Sequence, residues 1–122
     1  AASQRSISNW ISKCMTTDIG YYFNMDQIKA DPWGNPEKMW SHSPLKYANM
    51  AKTPTLFIQS DEDYRCYMGD ALQMFSALKY FGVETRMCLF HGENHELSRS
   101  GKPSHRLRRL SEMMEWFEKY LK

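Results

Sequence analysis

The chain has 122 residues, of which 42% are hydrophobic and 14% aromatic, enough apolar material to bury a core and exclude wholesale disorder. Sixteen Lys and Arg against fourteen Asp and Glu leave a net charge of +2, so neither a nucleic-acid surface nor one built for anionic lipid is expected. The odd count of cysteines, Cys14, Cys66 and Cys88, contains no C-x-x-C pair, which argues against a disulfide framework or zinc knuckle and for a reducing, cytoplasmic compartment. No apolar run approaches the roughly 20 residues that cross a bilayer, and Ala1-Ala2-Ser3, without an initiator Met, reads as the interior of a longer polypeptide.

Residues 1–50 are rich in aromatics and broken by turn formers such as Asp31-Pro32-Trp33-Gly34-Asn35-Pro36, so this part is expected to be an irregular helical segment. Asn35 before Pro36 marks a helix start, with proline at the first helical position where its missing N–H costs nothing. A short helix is expected from Pro36 to about Ser41, and a turn over Pro44–Met50. Residues 51–122 are more regular. Thr55-Leu56-Phe57-Ile58, between Pro54 and the polar run Ser60-Asp61-Glu62-Asp63, reads as a strand buried on both faces. A helix over Gly69–Tyr80 follows, closed by Gly82, and then a second strand over Glu84–Phe90. A loop from His91 to Pro103 leads to a last helix, about Ser104–Tyr120. Leu107, Leu110, Met114, Phe117 and Leu121 recur there at helical spacing and are expected to form one buried face.

Strand, helix, strand, helix with connections of this length predicts parallel strands in an α/β layer architecture. In such sheets reactive groups collect beyond the carboxyl ends of the strands. Asp61-Glu62-Asp63 and His91-Gly92-Glu93-Asn94-His95 both sit at such ends. A serine hydrolase needs a nucleophile, an imidazole to take its proton, and a carboxylate that fixes and stabilises the imidazole. Asp63 and His95, 32 residues apart with one crossover helix between, fit the order Ser, acid, His of α/β hydrolases. None of the twelve serines lies in a G-x-S-x-G, so the nucleophile is expected on polypeptide preceding Ala1.

Four strings carry a specific resemblance: Ser43-Pro44-Leu45-Lys46-Tyr47-Ala48, Lys52-Thr53-Pro54-Thr55-Leu56, Asp63-Tyr64-Arg65-Cys66, and Gly92-Glu93-Asn94-His95-Glu96-Leu97-Ser98-Arg99-Ser100-Gly101-Lys102-Pro103. Together they resemble the end of the catalytic domain of the prolyl oligopeptidase family, in its acylaminoacyl-peptidase and dipeptidyl-peptidase-like branch. The resemblance covers nearly the whole chain and is densest from Ser43 to Tyr120. It implies a partial α/β-hydrolase fold, the C-terminal portion of a peptidase domain, with a mostly parallel sheet and flanking helices. It also implies Asp63 as the triad acid and His95 as the base, a short peptide substrate cleaved through an acyl-enzyme, and no cofactor. Ser60 and Tyr67 stand where the family commonly shows Gly and Pro. Without its serine the chain is expected to be inactive alone. It should associate with the upstream part of its domain or, through an exposed sheet edge, with itself.

Competing readings remain for several of these residues. His91, Glu93 and His95 alternate as metal ligands could, with Glu96 close by, but Gly92 and Asn94 break the strand that would align them, so no metal is expected. Arg65 could bind a substrate carboxylate or carbonyl; pairing with a neighbouring acid to fix the loop of Asp63 is the favoured reading. Cys66 beside the acid turn invites a cysteine-nucleophile reading that the triad does not need. The run His105-Arg106-Leu107-Arg108-Arg109 reads as a solvated helix face, and the nine methionines as core filler. Alternative functions are an esterase or lipase using the same triad, and a non-catalytic binding or assembly module.

Overall fold

A computed structural model describes residues 1–121. Strand β2 (Thr55–Ser60) forms where the apolar run was read, and it is buried from Leu56 to Ser60. It lies at the centre of a three-stranded sheet, between β1 (Ala2–Gln4) and β3 (Thr85–Phe90), with both pairings parallel. The register sets Gln4 opposite Ile58 and Ser60 opposite Phe90, so all three strands end on the same side.

The alternation of β2 explains the layers. Leu56 and Ile58 point to one face and join Phe90, Leu97 and Trp116 in a core under helix α6 (Pro103–Tyr120). Phe57 points to the other face, where it meets Leu78 and Val83 beside α4 (Met68–Tyr80). Each fully buried Leu or Phe of this kind stabilises the fold by about 1.5–3 kcal/mol. Helix α4 ends at Gly82, whose φ of +76° suits a residue without a Cβ. The N–H groups of Gly82 and Val83 return to the carbonyls of Lys79 and Leu78, at 3.0 and 2.9 Å.

The first half folds as short pieces: α1 (Trp10–Thr16), α2 (Tyr22–Ile28), α3 (Pro36–Ser41) and a 3-10 helix over Pro44–Met50. Asn35 caps α3 as its sequence context predicts, its side chain accepting the Lys38 N–H at 3.0 Å. Cys14, Ala30 and Met39 make a third small core among these helices. The three-residue β1 and the short α5 (Leu97–Ser100) were not expected from the sequence. Ala2-Ser3-Gln4 carries no apolar pattern and is a strand only because β2 supplies its hydrogen bonds.

One expectation is overturned. In α6, Leu107 is 67% exposed and Met114 58%, with Leu110 also outside the core, and Leu121 just past the helix end is 78% exposed. The buried face instead carries Glu112 and Trp116, with Met113, Phe117 and Tyr120 packed beside them. Glu112 is tolerated there because Arg86 reaches its carboxylate at 2.8 Å and Arg108 also bonds it. Apolar spacing alone therefore selected the wrong stripe, since two arginines convert a carboxylate position into a core position.

Candidate active site

Asp63 and His95 stand on the loops that leave the carboxyl ends of β2 and β3, and three bonds tie those loops together. The Asp61 N–H donates to the Phe90 carbonyl (3.1 Å) and the Glu62 N–H to the Glu93 carbonyl (3.0 Å). The Asp61 carboxylate accepts the N–H of Gly92 (2.8 Å), which has a left-handed φ of +70°.

Asp63 is 1% exposed. Its Oδ1 accepts the main-chain N–H groups of Arg65 (3.0 Å) and Cys66 (2.8 Å), which closes the turn back on the side chain. Oδ2 faces His95 Nδ1 at 3.0 Å, with Oδ1 at 3.2 Å. A carboxylate only accepts, so Nδ1 carries the ring proton and Nε2 keeps its lone pair. That arrangement can take a proton from a nucleophile and stabilise the imidazolium formed. The His95 side chain is 21% exposed and borders a cavity of about 190 Å³ shared with Asp18, Glu62, Tyr64, Arg65 and Glu96.

The surroundings of the pair include contacts that the sequence did not reveal. Gln59, buried on β2, donates to the Cys66 carbonyl at 2.9 Å and approaches Asp63 Oδ2 at 3.4 Å. Lys13, buried in α1, donates to the Arg65 carbonyl and to Thr17 Oγ1. Burial holds its ammonium below the usual lysine range, against the opposing pull of Cys66, Asp70 and Asp63. Glu93 accepts the Lys102 N–H (2.9 Å) and faces His105 Nδ1 (2.6 Å), anchoring the base loop to α6. Burial works against the Glu93 carboxylate, but those two bonds hold it below its ordinary range. No local signal marks Gln59 or Lys13 or assigns Glu93 to His105, because these partners lie farther along the sequence or belong to another element.

Arg65 pairs with an acid: its Nε bonds Asp18 at 2.6 Å, and that contact keeps the Asp18 carboxyl below its ordinary range. The alternating trio separates, with His91 going to Asp61, Glu93 to His105 and His95 to Asp63. Among the described residues no group of three His, Cys, Asp or Glu side chains converges on a common point. Cys66 is buried, and burial pushes its thiol up to about 11, so it holds its proton near neutral pH and is no thiolate nucleophile. Among the described residues no helix is long and apolar enough to cross a membrane.

The prolyl oligopeptidase family, Peptidase_S9, matches the sequence over residues 1–122. The chain belongs to this family. It is 45% identical over 121 residues to an uncharacterized peptidase, YuxL, of Bacillus subtilis, covering 99% of this chain and 18% of that protein. Dipeptidyl-peptidase 5 of Schizosaccharomyces pombe is 32% identical over 101 residues, 83% of this chain and 14% of that one. Among solved structures, the uncomplexed acylaminoacyl peptidase of Pyrococcus horikoshii superposes with a TM-score of 0.94 at 38% identity, covering 99% of this chain and 20% of that one. The α/β-hydrolase reading of the fold stands on that likeness together with the parallel sheet and its flanking helices. The chain thus spans about a fifth or less of the length of these relatives.

Proposed function

We propose that these residues supply the acid, Asp63, and the base, His95, of a serine peptidase whose nucleophile lies outside the 122 residues. The observation that carries this is the Asp63 carboxylate, 3.0 Å from His95 Nδ1 at neighbouring strand ends of a prolyl oligopeptidase family chain. His95 would take the proton of the serine as it attacks the substrate carbonyl, then return it to the leaving amine. Asp63 would hold the imidazole in the tautomer that leaves Nε2 free. Short peptides, including N-acylated ones, are the substrate class favoured by the acylaminoacyl-peptidase likeness. The three unpaired cysteines favour a reducing, cytoplasmic setting.

The partner we assign is the serine-bearing segment of the same domain, laid against β1. Among the described residues β1 pairs only with β2, leaving its outer edge open. Ile7, Phe57, Met74 and Leu78 line an apolar hollow of about 210 Å³ beside it.

The test is His95→Ala in the full-length polypeptide that carries the nucleophile, assayed on an acylaminoacyl anilide and on a simple ester. A fall in kcat on the anilide of three or more powers of ten is expected. Activity retained within tenfold would remove His95 from the mechanism, and cleavage of the ester with none of the anilide or of a peptide would turn the assignment to an esterase.

A further inference from the structure

Arg5 leaves the end of β1 with φ at +42°, in the left-handed region that residues with a side chain seldom occupy. Two contacts hold it there. Its N–H donates to the Ile58 carbonyl at 3.1 Å, which carries the β1–β2 ladder one residue beyond the strand. Its guanidinium Nη1 donates to the main-chain carbonyl of His95 at 2.8 Å, a contact between residues 90 positions apart. The bonds of Asp61 to Gly92 and of Glu62 to Glu93 fix the base loop before His95, and the Asn94 side chain accepts the N–H of Glu96 after it. His95 itself is held at two points, its ring by Asp63 and its peptide by Arg5.

From this geometry we infer that Arg5 is a positioning residue for His95: by fixing the His95 peptide it sets where Nε2 points. Arg5 and His95 also line one cavity of about 20 Å³, room for about one water and for no other side chain. Misplacing a reacting group by about 1 Å can cost about 10²-fold in rate without loss of substrate affinity. A backbone anchor should act in that way.

The inference rests on the proposed role of His95, and its test separates the two. In the full-length polypeptide with its nucleophile, Arg5→Gly, Arg5→Lys and His95→Ala are compared on one peptide substrate. Arg5→Gly removes the cation and relieves the positive φ, so its melting temperature should stay near that of the parent. Its kcat should fall about 10- to 100-fold with KM within about twofold. Millimolar guanidinium, but not sodium at the same ionic strength, should restore part of that kcat, or Arg5→Lys should retain it. If Arg5→Gly keeps kcat within twofold while His95→Ala is inactive, the positioning role is lost and the base stands. A fall in kcat that neither guanidinium nor lysine recovers would reduce Arg5 to a structural tie and overturn the inference. Activity surviving in His95→Ala would instead sink the functional reading beneath it.

Discussion

His95 Nδ1 lies 3.0 Å from Asp63 Oδ2, on a carboxylate whose other oxygen is already bound to the N–H groups of Arg65 and Cys66. The orientation of Asp63 is therefore fixed by its own loop as well as by the histidine. Asp63→Asn tests whether the carboxylate sets the tautomer of His95. The new amide should keep its oxygen on the two N–H groups and turn its NH₂ toward Nδ1, forcing the ring proton onto Nε2 and removing the base. In the full-length enzyme kcat should fall about 10⁴-fold, with melting within a few degrees of the parent. A variant with more than a tenth of the parent kcat would show that the carboxylate does not set the tautomer.

Glu93 gives a pH dependence of known sign. Its folded carboxyl lies below the ordinary 4.5, because the Lys102 N–H and His105 outweigh the effect of burial. Below 4.5 the unfolded chain takes up the proton before the folded one. This contribution is therefore complete above that pH and is lost as pH falls through the folded value. Urea unfolding between pH 7 and pH 3 should show parent stability dropping more steeply in the acid range than that of Glu93→Gln. Parallel curves would show that the carboxylate carries no such linkage. At neutral pH, Glu93→Ala leaves the Lys102 N–H without its acceptor and should cost about 1–3 kcal/mol.

The face of α6 holding Leu107, Leu110 and Met114 is exposed, and the outer edge of β1 is unpaired among the described residues. An open edge beside apolar surface invites association. The 122-residue chain by itself should run as dimers or larger species at micromolar concentration in light scattering. Leu110→Glu with Met114→Glu should move it toward the monomer. A parent chain that is monodisperse and monomeric would refute this surface as an association site. In either state the isolated chain should show no serine-dependent turnover, and measurable turnover would contradict a nucleophile placed elsewhere.

The elements with the strongest local signatures were legible in the sequence. The apolar run before Ser60 became β2, Gly82 closed α4, and Asn35-Pro36 opened α3, because burial period, left-handed backbone and capping chemistry are written within a few residues. Strand β1 was not legible, because its hydrogen bonds come from residues more than fifty positions away. The exposed side of α6 was misread because the position of Glu112 is decided by Arg86, on another element.

For the site the division is similar. By itself the sequence singled out Asp63 and His95 at successive strand ends, since motif and chain order are local and ordinal properties. Only the tertiary structure decided that Asp63 and His95 meet at bonding distance, that Arg65 turns to Asp18, and that Lys13, Gln59 and Arg5 hold the two loops. Hydrogen bonds act over about 3 Å, and no one-dimensional spacing reveals which distant groups a fold will bring that close.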